Sequence, residues 1–255
     1  MTATPAGMTY ADYLKLDQLL SAQQPRSNLH DEMLFIVIHQ TKELWMKQML
    51  HEIELAIRLA GEDRFAEAYK AMARINRIQA VMTLSWDVLS TLTPVDYLKF
   101  RDVLGTSSGF QSAQFREIEY RLGLKDPRFL EHYEDGTEAH ARLSRALAES
   151  SLRDVAIDAL ARAGFDVGDR SVEALASSWL EVYRDADRWF ELYELAEKLV
   201  DIDDALAGWR HKHVLTVERI IGSKRGTGGS AGAAYLRSTL DKRVFPELWS
   251  LRTDL

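Results

Sequence analysis

The sequence predicts an all-α protein, a single large helical domain, on three observations. Apolar residues recur at three- and four-residue spacing through most of the chain. No window alternates convincingly in the two-residue pattern of a strand. Only five prolines interrupt 255 residues, so the periodic stretches run long. No solenoid period or low-complexity tract divides the chain, and residues 1–255 are read as one domain.

The elements follow in order. Tyr10, Tyr13, Leu14, Leu16, Leu19 and Leu20 make a short amphipathic helix that stops before Pro25. A long helix runs from about His30 to Leu59, with Asp31 and Glu32 where the helix dipole favours acids. Residues Arg64 to Leu92 form a third helix, and Pro94 suits the first turn of a shorter fourth, where its missing N–H costs nothing. Gly105-Thr-Ser-Ser-Gly109 is a loop, after which a helix resumes near Gln111. From Asp126 to about Ser171 the chain is more polar and alanine-rich, with breaks at Gly136, Gly164 and Gly168. Residues 126–171 are therefore expected at the periphery. A last long helix begins at about Val172 or Asp187 and ends at Ile221, with Gly222 as its stop signal. Helices of about 30 residues span roughly 45 Å, more than one small core needs, which points to a homo-oligomer. The apolar patch of Tyr10, Tyr13 and Leu14 on residues 1–25 is suited to dock on a neighbouring subunit.

Composition removes several classes of function. A net charge of -7 and a pI near 5.6 argue against general binding to nucleic acid or anionic membrane. The chain has no cysteine, which excludes disulfides, thiolate zinc sites and iron–sulfur clusters. The first residues, Met1 to Met8, lack a basic region followed by an apolar core, and no apolar run approaches membrane-spanning length. A cytoplasmic protein is the expectation.

Four features carry chemistry. His39 lies in Met33-Leu-Phe-Ile-Val-Ile-His-Gln40, the most apolar window, one turn from Phe35. It reads either as a core histidine satisfied by a backbone carbonyl or as a neutral imidazole lining a dry pocket. His213 shares a helix face with Trp209, Thr216, Val217 and Ile220, whereas His211 points roughly the opposite way. An imidazole so placed either packs in the core or ligates a haem iron, its other nitrogen oriented by a neighbour. Tyr97, Phe100, Arg101 and Leu104 lie on one face before Gly105, and Arg101 is either an interhelical ion pair or a two-pronged clamp for a substrate carboxylate. Gly226-Thr-Gly-Gly-Ser230 is either a surface connection or a hinged loop that offers amides and the Thr227 hydroxyl to a ligand. Non-haem metal sites fare poorly, since no histidine has a glutamate three residues before it and no zinc-protease motif occurs. The six tryptophans read as core or interface packing.

Together these stretches resemble the bacterial tryptophan 2,3-dioxygenase family. The resemblance rests on Tyr10-Ala-Asp-Tyr-Leu14, Leu19-Leu-Ser-Ala-Gln-Gln-Pro25 and His30 to Gln40 near the start. In the middle it rests on Leu92-Thr-Pro94 through Phe100-Arg-Asp-Val-Leu-Gly105 and on Ser107-Ser-Gly-Phe-Gln-Ser112. At the end it rests on Trp209 to Arg219, Lys224-Arg-Gly-Thr-Gly-Gly-Ser230 and Phe245-Pro-Glu-Leu-Trp249. It spans about Tyr10 to Leu255 and is weakest between Asp126 and Ser171. It implies a homotetrameric enzyme with haem b that uses L-tryptophan and O2 and gives N-formyl-L-kynurenine. It further implies His213 as axial iron ligand, His39 as distal partner of the indole N–H, and Arg101 as carboxylate grip. Thr227 and Gly226 would sit at the amino-acid end, Phe35, Tyr97, Phe100 and Leu104 would wall the indole pocket, and Ser108 would lie near haem and substrate. Tyr10, Tyr13 and Leu14 would come from a neighbouring subunit. A haem-based sensor or gas carrier, which needs no amino-acid clamp, and a cofactor-free helical interaction module are the competing readings.

Overall fold

The computed structural model describes residues 7–255, and these contain helices, turns and loops but no strand. The first six residues of the Met1–Met8 stretch considered above fall outside them. The longest apolar windows give the longest helices. After two short helices, α1 (Tyr10–Leu14) and α2 (Leu16–Leu20), come α3 (His30–Gly61), α4 (Phe65–Leu89) and α5 (Pro94–Phe100). Then follow α6 (Ala113–Leu122), α7 (Glu138–Ala148), α8 (Leu152–Arg162), α9 (Val172–Arg184), α10 (Phe190–Ile221), α11 (Ala233–Arg237) and α12 (Pro246–Ser250).

The core is a three-helix layer with α4 packed between α3 and α10. Ile53, Ala56 and Ala60 of α3 meet the Ala68, Met72 and Ile75 stripe of α4, and all six are fully buried. The alanines let the backbones approach closely, and the recurrence at three and four residues keeps the stripe on one side. Leu195, Leu199, Ile202 and Leu206 close the layer from α10. No helix among the described residues is long and apolar enough to cross a membrane.

Three expectations change and one alternative is resolved. The N-terminal helix is two helices, because Lys15 takes a left-handed conformation (φ 53°) and breaks it. Of the two starts offered for the last helix the later one holds to within three residues, since α10 begins at Phe190 and Val172 opens a separate helix, α9, with residues 185–189 between them. Residues 126–171 are not wholly peripheral: α8 packs on α3 and buries Leu152 and Leu160 completely. Its alanines read as surface in a polar stretch, yet Ala156 and Ala159 are core. Finally, α5 stops at Phe100 and a tighter helical turn follows over Arg101–Leu104, so Tyr97, Phe100, Arg101 and Leu104 do not share one α-helical face.

One buried carboxylate ties the C-terminal segment to α10. Asp203 Oδ2 accepts from the Val244 and Phe245 amides (2.9 and 3.1 Å) and from Trp249 Nε1 (3.0 Å). The residue is 0% exposed, so its loss leaves two buried amides and a part-buried indole N–H without their acceptor. Asp203→Ala is expected to destabilise the protein by about 3 kcal/mol or more, read as a lower urea midpoint. Asn, which keeps one oxygen in place, should recover much of this. An unchanged midpoint for Ala would show that the tie contributes nothing.

Candidate functional site

One cavity opens between α3, α4, α6 and α10, rimmed by the loop at Ser107–Ser112 after α5 and by residues 226–232 before α11. His39 and His213 both line it, from α3 and α10 respectively. Phe35, Tyr97, Ser108, Gly226 and Thr227 line it as well. Sequence reasoning thus brings residues from five separate segments to one place.

His39 satisfies both of its sequence readings. Its Nδ1 donates to the Phe35 carbonyl one turn earlier (2.7 Å). A carbonyl can only accept, so this bond fixes the proton on Nδ1 and leaves the Nε2 lone pair free. Desolvation holds the imidazole below its ordinary pKa, against the pull of that carbonyl, so the ring is neutral at neutral pH. The Phe35 ring lies beside it, tilted by 39° with centroids 4.2 Å apart. A neutral hydrogen-bond acceptor therefore faces an apolar enclosure.

His213 is held differently. Trp86 stacks almost parallel to its ring, with centroids 4.3 Å apart and an interplanar angle of 10°, and Trp209 flanks it at 5.3 Å. Burial first, and then the neighbouring Lys42 and His39, push its pKa down to about 3. An imidazole kept neutral with its orientation fixed by packing is ready to donate a lone pair to a metal. The partner for its other ring nitrogen, expected from sequence, is not found among the described residues, and the ring is oriented instead by packing on an indole face. His211, by contrast, is exposed in a separate groove with Thr83, Asp87 and Asp204.

Phe100, Arg101 and Leu104 do not line the cavity. Phe100 is fully buried behind it, edge-on to Tyr97 (5.4 Å) and Phe35 (5.8 Å), and Leu104 packs on the same core. Arg101 Nη2 donates to the Arg225 carbonyl, and Thr227 Oγ1 donates to the Ser107 carbonyl. Residues 222–232 are therefore pinned to the loop after α5 at two points. Close approach is possible because residue 228 is glycine: a Cβ there would lie 2.6 Å from Ser108 Cβ. Tyr10 and Tyr13 are 75% and 72% exposed, Leu14 is exposed too, and none of the three touches this chain's own cavity.

Sequence reasoning missed the polar end. Arg116 of α6 pairs with Glu119, whose other oxygen accepts from Arg210 Nη2 of α10 (2.7 Å). Arg210 Nη1 donates to the Lys242 carbonyl (2.9 Å), and all three side chains are buried. Lys42 also lines the cavity; burial pulls its ammonium down to about 6. The indole N–H groups of Trp86 and Trp209, both cavity residues, find no acceptor among the described residues. In α6 the charges alternate so densely that a solvent-facing helix is the natural reading. The usable signal was the Arg116–Glu119 spacing, which sets an ion pair on one face.

The residues present fit a haem. A porphyrin needs an apolar slot, an axial imidazole and cations for its acidic side arms. Met46, Met82, Leu89, Val217 and Ile220 line such a slot, His213 would offer the imidazole, and Arg116 and Arg210 the cations. The orphaned N–H of Trp209 lies beside Arg210 in sequence and asks for an acceptor. Among the described residues no three His, Asp or Glu side chains gather as a metal cage, but a porphyrin brings four nitrogen ligands of its own.

Comparisons with known proteins identify the family. The tryptophan 2,3-dioxygenase family profile matches residues 1–167 and 168–255. The tryptophan 2,3-dioxygenase of Caulobacter vibrioides is 61% identical, over 97% of this chain and 98% of its own. That of Bacillus thuringiensis (strain Al Hakam) is 53% identical over 97% and 93%, and that of Geobacillus thermodenitrificans 50% over 97% and 92%. With matches end to end at such identity, this chain belongs to the tryptophan 2,3-dioxygenase family and is an enzyme of that kind.

Proposed function

We propose that the cavity binds haem b and L-tryptophan and that the enzyme inserts both atoms of O2 across the indole C2–C3 bond, giving N-formyl-L-kynurenine. This would be the first step of tryptophan breakdown through kynurenine, in the cytoplasm. The observation that carries the reading is the pair of neutral imidazoles, 39 and 213, on one apolar cavity that ends in a buried arginine pair. Haem b, when bound, supplies the iron that takes up and activates dioxygen.

The protein's own share is binding and orientation. His213 holds the cofactor through its ring nitrogen, with Trp86 keeping the ring plane fixed. His39 presents Nε2 to the indole N–H, a role that its bond to Phe35 preorganises. Phe35 and Tyr97 wall the indole, with Phe100 and Leu104 supporting them from behind. Arg101 takes the substrate carboxylate by exchanging its contact with Arg225, while Thr227, Gly226 and Ser108 close over the amino-acid end. Tyr10, Tyr13 and Leu14, exposed here, cover the site of a neighbouring copy in a homotetramer. Holding both small reactants in one water-poor enclosure turns an encounter into a reaction within a complex.

The reading is tested by reducing the haem-loaded protein anaerobically, adding L-tryptophan and then oxygen, and following formylkynurenine absorbance; no product would refute it. For His39→Ala the expected loss is roughly tenfold in affinity for L-tryptophan, with little change for the N1-methylated indole. Equal losses for both substrates would remove the hydrogen-bond role.

A further inference from the structure

We infer that Lys42 is a contact for a haem carboxylate, pairing its ammonium with an acidic side arm of the porphyrin on the Trp86 side of the cavity. The inference rests on the haem reading above and goes beyond it to a residue that is neither axial ligand nor substrate contact.

The placement is unusual for a lysine. Lys42 is 5% exposed, lines the cavity, and its Nζ has no hydrogen-bond or ion-pair partner among the described residues. Its adjacent acid, Glu43, already accepts from the Gln114 amide (2.7 Å). What Lys42 does have is a ring face: Nζ lies 2.7 Å from the Trp86 centroid. A cation over an indole recovers only part of the cost of leaving water. A buried ammonium aimed into a cavity is stable when the ligand brings the counter-charge.

The direction of the cavity says where that charge lies. Along α3, Phe35 faces Tyr97 at one end, His39 follows, and Lys42 and Glu43 come a turn later, where Gln114 in the first turn of α6 bonds Glu43. Arg116 stands two residues further along α6. Trp86 leans on Trp209 at 5.5 Å, and Trp209 precedes Arg210. Lys42 thus lies on the route from the imidazole pair to the arginine pair. The charged residues lining the cavity are four cations, Lys42, Arg116, Arg210 and Lys242, and two acids, Glu43 and Glu119. The ionisable groups at this end are thus richer in bases than in acids, which suits the carboxylates of haem b, and Lys42 is the one among them whose buried nitrogen has no partner among the described residues.

The test compares hemin with its dimethyl ester, which keeps the iron and the ring but lacks both charges. The full-length chain and Lys42→Met are each loaded with either compound, and transfer to excess apomyoglobin is followed in the Soret region. Met keeps the length and apolar stem of the side chain, so the fold has no reason to fail. Loss of one charge-assisted hydrogen bond should speed hemin release about tenfold, while the ester leaves both proteins at the same rate. Equal hemin release from both proteins would overturn the inference. So would equal acceleration for hemin and ester, which would leave Lys42 a packing partner of Trp86 only. A native chain that takes up neither compound would refute the haem reading itself, and this inference with it.

Discussion

His213→Ala is expected to yield a protein that folds but fails to hold haem. Residues that merely orient a metal ligand are worth roughly 10–100-fold in affinity, so removal of the ligand itself should exceed about 100-fold. The readout is the Soret absorbance per chain after purification with ample haem supply. His211→Ala is the matched control. His211 is two residues away on the same helix and equally able to ligate iron, but it is exposed in a groove on the far side of α10. It should leave the spectrum intact. The reverse pattern would reassign the axial position. Supplying imidazole to His213→Ala offers a further discriminating result. The Trp86 face that packs 4.3 Å from the native ring would remain, and should guide the free ligand into the same plane. Recovery of the spectrum then separates lost ligation from a collapsed cavity.

Periodicity reads well where a helix has one apolar side, which is why α3, α4 and α10 were legible nearly to their ends. It fails where tertiary packing overrides local character. In α8 the core face is built from Ala156, Ala159 and Leu160 within a polar stretch, and small residues carry little hydrophobic signal of their own. It fails again at Lys15, where one left-handed residue splits a continuous pattern. The site shows the same division. His39 and His213 were legible because each is a polar residue on an apolar stripe. Arg116, Glu119 and Arg210 were not, because charged residues in helices normally face water and their mutual pairing needs α6 and α10 side by side. Trp86 and Trp209 read as packing, and they do pack. Only the structure adds that their N–H groups meet no acceptor beside a cavity. Lys42 was hidden for the same reason as the arginines: Gln40-Thr-Lys-Glu43 looks like a solvated patch between apolar turns.

For Arg101→Ala the expected outcome is a loss of at least about 100-fold in L-tryptophan affinity, the value of two charge-assisted hydrogen bonds to one carboxylate, measured by titrating the ferrous protein. Interpretation turns on what Arg101 does in this structure, where its guanidinium holds the Arg225 carbonyl and so helps pin residues 222–232. A loss could therefore arise from the missing clamp or from a loosened loop. Tryptamine separates the two, since it keeps the indole and amine but has no carboxylate. If Arg101 grips the carboxylate, tryptamine binds the native enzyme weakly and the variant no worse. If Arg101 serves only the loop, both ligands weaken together, because Thr227 and Ser107 would lose their register too. Arg101→Lys sharpens the distinction. One ammonium can still reach a carbonyl but cannot make two parallel bonds to a carboxylate, so a loop role predicts rescue and a clamp role predicts little. Unchanged L-tryptophan affinity in Arg101→Ala would exclude both roles, and selection for an amino acid would then have to come from Thr227 and the loop amides alone.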